Sequence, residues 1–73
     1  MNKFYAVKLL KGVGAGVGYL GFDMEGEAVC VSISNAAFYN VLEDVMYDAN
    51  LFSTENPEYT TCVIMVEINE VAV

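Results

Sequence analysis

Seventy-three residues suffice for one small domain with one core, because folding at this size buries only about 60% of the surface the unfolded chain exposes. Ten acids oppose three lysines for a formal charge of −7, and Lys3, Lys8 and Lys11 all precede Gly12, which disfavours direct nucleic-acid binding because phosphate contacts depend on Lys and Arg. The chain has no His, no Arg and no Trp, so the commonest general base, the bidentate anion clamp and the usual metal ligand are all missing.

These absences lead to the expectation of a protein that is not an enzyme and holds no cofactor or metal. Hydrophobic residues make up 56% of the chain and the mean hydropathy is +0.44, more apolar material than one helix on one sheet can hide. A homodimer or other self-association is therefore expected. The apolar runs are too short for a membrane span of about 20 residues, and MNKFYAVKLLKG does not read as a secretory signal, so a cytoplasmic location is expected. The acidic excess has two readings: solubility for an apolar domain, or affinity for a basic protein surface.

In chain order, KFYAVKLL (Lys3 to Leu10) reads as a first strand. Neither of its faces is cleanly polar, and its lysines suggest an edge strand guarded against unwanted pairing. Gly12 to Gly18, GVGAGVG, reads as a flexible loop, with a strand presenting Val13, Ala15 and Val17 on one face as the alternative. Gly16, Gly18 and Gly21 match G-x-G-x-x-G, but FDMEG follows where the dinucleotide fingerprint needs a helix N-terminus, so nucleotide binding is set aside.

Tyr19 to Met24 and Glu27 to Ile33 read as strands joined by Glu25-Gly26. Asp23, Glu25 and Glu27 at this tip lack the spacing of a calcium loop, so a solvated turn is expected. Ser34 to Phe52 then reads as the one helix, capped by Ser34 or Asn35, with Phe38, Leu42, Val45, Ala49 and Phe52 as its core stripe. Val41 and Met46 lie beside that stripe.

Ser53 to Glu58 reads as a polar loop and Tyr59 to Val73 as the strongest strand, with Cys62, Ile64, Val66 and Ile68 on one side. Thr61, Val63, Met65, Glu67 and Asn69 share the other, nominally outer side. The apolar Val63 and Met65 there mark a candidate self-association surface. Cys30 and Cys62, inside apolar runs, are expected to be small buried hydrophobes.

On the expected helix, Asp44 and Asp48 are like charges at i, i+4 in the C-terminal half, where the macrodipole prefers cations. Acids kept at a local cost suggest a partner. The candidate partner-binding face is Glu43, Asp44, Tyr47, Asp48 and Glu55, with the tyrosine as a rigid anchor; a plain solvated face is the alternative.

The order strand, hairpin, acidic helix, strand, with FYAVKL leading to GYLGF and then SNAAFYNVLEDV, resembles the small acidic accessory proteins of bacteriophages and mobile elements, the anti-CRISPR type of counter-defence protein among them. That resemblance implies a nucleic-acid mimic, an inhibitor whose acidic surface occupies a basic nucleic-acid-binding groove of a host protein. The fold expected for residues 1–73 is a single α+β domain, a mostly antiparallel four-stranded sheet in the order βββαβ with one helix on one face.

Overall fold

A computed structural model of the chain describes residues 2–11 and 15–68. The strands are β1 (Asn2–Lys11), β2 (Ala15–Phe22), β3 (Ala28–Val31) and β4 (Tyr59–Ile68), and the one α-helix among the described residues, α1 (Leu42–Glu55), lies between β3 and β4 in the chain. Every strand pair is antiparallel and the spatial order is β3-β2-β1-β4, so the α+β fold is as the sequence implies. β1 is a central strand rather than the edge expected from its lysines. Its alternating Val7 and Leu9 are fully buried, and that burial requires neighbours on both sides.

The core lies between the sheet and α1. Val45, Ala49 and Phe52, spaced i, i+4, i+7, form one stripe that packs on Val7, Leu9 and Leu20, with Tyr5, Tyr39, Tyr59 and Val63 at its margins. The register Tyr5↔Met65, Val7↔Val63, Leu9↔Thr61 places Thr61, Val63 and Met65 on this helix-covered side. The opposite, open side carries Phe4, Ala6, Lys8 and Leu10 beside Thr60, Cys62, Ile64 and Val66. The outer side expected for β4 is thus the inner one. Period 2 sorts residues between faces but does not say which face a helix will cover.

Several boundaries move. The helix begins at Leu42 rather than near Ser34, and it runs through Ser53, Thr54 and Glu55. β2 pairs with β1 only from Lys8 to Lys11, which leaves the first half of β1 without a neighbour on that side. The chain ahead of α1 fills this gap in extended form: Tyr5 N–H donates to Tyr39 O and Tyr39 N–H to Tyr5 O, both at 2.8 Å, and Ala37 N–H donates to Leu20 O at 3.0 Å. Coiling Ala37 and Tyr39 into a helix would forfeit three hydrogen bonds in the middle of the sheet.

Ser34 and Asn35 therefore cap no α-helix; with Ile33 they form a 3-10 turn in which Asn35 N–H donates to Ser32 O at 3.0 Å. The N-cap of α1 is Val41, which offers no side-chain acceptor. At the other end the side chains of Ser53 and Thr54 donate to Asn50 O at 3.0 and 2.8 Å. Asn56 closes the helix on Phe52 O through its backbone N–H, and Pro57 follows.

Ala15 to Gly18, expected as loop, belong to β2; Gly12 to Gly14 and Asn69 to Val73 lie outside the described residues. β2 spans Ala15–Phe22, displaced toward the N-terminus from its expected range, and β3 is Ala28–Val31, the inner part of its expected range. Gly21 makes the crossover over the open side possible: a Cβ there would stand 2.6 Å from Val31 Cγ2 and 3.0 Å from Asn35 O. Both cysteines are free and exposed, not buried, because β3 and the open side of β4 extend beyond the cover of α1. No helix among the described residues is long and apolar enough to cross a membrane.

Candidate functional site

α1 and the β2–β3 hairpin enclose a groove. Its floor is Leu20, Phe22, Ala28, Leu51 and Phe52, and its walls carry Asp48 and Glu55 on the helix side and Glu27 on the hairpin side. The deepest part is a recess of about 60 Å³, which continues into an open depression of about 500 Å³ bounded by Gly26, Glu27, Glu55 and Asn56. A recess of that volume admits one short side chain, whereas pockets enclosing small-molecule ligands run to roughly 300–1,000 Å³; the larger depression reaches that range but is open to solvent. Phe22 and Leu51 are each about half exposed on the floor, at 46% and 48%.

The helix wall follows from spacing. Asp44, Asp48, Leu51 and Glu55 recur at i, i+4, i+7 and i+11, so they share one flank of α1, the flank turned toward the hairpin. Glu43 and Tyr47 lie further round on the outer surface, where Tyr47 is 66% exposed. The five residues read from the sequence as one acidic face are therefore divided between a groove wall and an outer ridge. Glu27, Phe22 and Leu51 were not among them. Their signal is tertiary, because only the packing of hairpin against helix brings them together.

Two of the predicted acids have a different standing from the one expected. Glu43 and Asp44 occupy the first turn of α1, where unpaired amides and the positive end of the macrodipole favour carboxylates. Their placement thus aids the helix, so the later helix start overturns the macrodipole cost expected for Asp44, while the like-charge spacing of Asp44 and Asp48 at i, i+4 remains. Asp48 is half-buried and accepts a hydrogen bond from the Tyr39 hydroxyl at 2.6 Å. Burial, and then the hydrogen bond and charge of Asp48, push the Tyr39 phenol well above its ordinary 10.0. Tyr39 is a residue that sequence reasoning missed: its backbone zips to Tyr5 and its side chain ties the extended segment to α1.

At the hairpin tip the carboxylate oxygens of Asp23, Glu25 and Glu27 come within 4.8 Å of one another, all exposed. Asp23 Oδ1 accepts from the N–H groups of both Glu25 and Glu27 at 2.9 Å, and Gly26 adopts φ +83°, so this carboxylate shapes the turn. Val63, expected as a self-association residue, packs its side chain against the core, and Met65 beside it is 57% exposed. Comparison with family models, with curated proteins and with solved structures finds no match.

Proposed function

We propose that the protein is a non-catalytic binding module that receives a basic, partly apolar segment of another protein in the groove between α1 and the β2–β3 hairpin. The observation that carries this reading is an apolar floor flanked by carboxylates from two separate elements, Glu27 on one wall and Asp48 and Glu55 on the other. An apolar side chain entering the recess removes Phe22 and Leu51 from water, while neighbouring Lys or Arg groups reach the two walls. The acidic excess of the whole chain steers such a segment inward. A basic nucleic-acid-binding surface of a host protein, the target implied by the resemblance to phage counter-defence inhibitors, has this chemistry.

A fluorescent peptide of alternating Arg and Leu tests the proposal against its Glu-for-Arg counterpart. Expected is binding of the Arg form only, weakening as salt rises, and lost in the Glu27→Lys/Glu55→Lys variant. Equal binding of the Arg peptide by native and variant chains would sink the idea. These two glutamates are exposed, so the comparison leaves the Tyr39 to Asp48 tie intact.

A further inference from the structure

The two outer strands of the sheet differ in what they offer. β3 spans four residues, whereas β4 runs for ten, unbroken in register with β1 from Asn2↔Ile68 to Lys11↔Tyr59. Which backbone groups of β4 are free follows from the ladder. Tyr5 directs its N–H and C=O to Tyr39, away from β4, so Tyr5↔Met65 is a non-hydrogen-bonded pair.

Alternation then makes Phe4↔Val66, Ala6↔Ile64, Lys8↔Cys62 and Leu10↔Thr60 the hydrogen-bonded pairs. The N–H and C=O groups of Thr61, Val63, Met65 and Glu67 consequently point outward, and no strand among the described residues pairs with them. From Tyr59 to Val66 this edge contains no charged residue, no Pro and no bulge, the features that ordinarily keep an edge from pairing.

We propose that β4 pairs antiparallel with β4 of a second copy about a two-fold axis at Val63, joining two four-stranded sheets into one. Residues opposed across an antiparallel pair lie on the same face, which admits an axis at Val63 or at Ile64, each overlapping nine residues of Tyr59–Ile68. With the axis at Val63, Thr61 faces Met65 and Tyr59 faces Glu67. Charge selects this register. Lys11 Nζ lies over the Tyr59 ring, 5.9 Å from its centroid, and so reaches toward Glu67 of the second copy, while Lys3 stands opposite Glu67 within its own chain. Each Glu67 is thereby placed between two lysines of opposite charge. Val63 and Met65 do contribute to association, through backbone groups rather than through an apolar outer face.

Hydrogen exchange combined with sedimentation tests this. In a monomer the amides of Cys62, Ile64 and Val66 are held by β1, whereas those of Thr61, Val63 and Met65 face water and exchange fast. Expected at micromolar concentration is a particle of twice the 8.0 kDa of one chain, with the second set protected and losing that protection on dilution. A monomer throughout, or a dimer in which Thr61, Val63 and Met65 still exchange fast, overturns the proposal. Lys11→Glu or Glu67→Lys alone is expected to weaken association about tenfold and the double exchange to restore it; a double variant no tighter than the singles overturns the register.

Discussion

Beneath α1, Val7, Leu9 and Leu20 lose all but about 1% of their exposure, whereas on the opposite side of the same sheet the small Ala6 is fully buried but the large apolar Phe4, Leu10, Ile64 and Val66 remain half-buried. The difference is one of cover and not of composition. A 14-residue helix is about 21 Å long and can roof one face only. The open side receives partial cover from the chain after β3, where Phe38 meets Phe4 with ring centroids 6.0 Å apart. Charge does not divide the same way: the groove carboxylates stand on the helix side together with Lys3 and Lys11, while the open side holds Lys8, its stem packed over Gly16.

Unequal cover sets unequal costs for truncation. Leu9→Ala is expected to lose about 3 kcal/mol in urea unfolding, because it leaves a cavity under Phe52 and Val45. Ile64→Ala, on the half-covered side, is expected to lose about 1 kcal/mol. Equal losses would break the comparison.

Gly18→Ala is the next largest, about 2 kcal/mol: its φ of +155° disfavours a side chain, and a Cβ there would lie 2.6 Å from Cys30 Sγ and 2.9 Å from Val31 O. Tyr39→Phe is expected to cost about 1 kcal/mol, the worth of a half-buried hydrogen bond to a carboxylate. Because the folded phenol holds its proton more tightly than an unfolded one, its contribution is complete below about pH 10 and is lost as pH rises above that. The native chain should therefore show an alkaline loss of stability that Tyr39→Phe reduces.

The smallest effect separates two accounts of the helix. With Glu43 in the first turn and the uncharged Tyr47 at i+4, Glu43→Lys is expected to lower stability by about 0.5 kcal/mol, whereas a helix beginning near Ser34 puts this position mid-helix and requires almost no change. Thermal unfolding at low ionic strength distinguishes them.

Only part of the groove was legible from sequence. Asp48 follows from helical spacing and Glu55 was assigned to the same acidic face although it was expected in a loop, but Glu27, Phe22 and Leu51 join them only when the hairpin packs beside α1. The outward backbone groups of β4 were not legible at all, since side-chain pattern carries no information on which neighbour a strand bonds.

What the sequence by itself determined was local: the period-2 sets of β1 and β4, three of the five stripe residues (Val45, Ala49 and Phe52, with Phe38 and Leu42 exposed instead), the acidic excess and the α+β class. Tertiary structure decided that β1 is central, that Val63 faces inward, and that Ala37 to Tyr39 stay extended. The physical reason is common to all three. Periodicity records which residues move together, whereas the choice of covered face and the fate of a helical-looking segment depend on which backbone groups elsewhere still lack a partner.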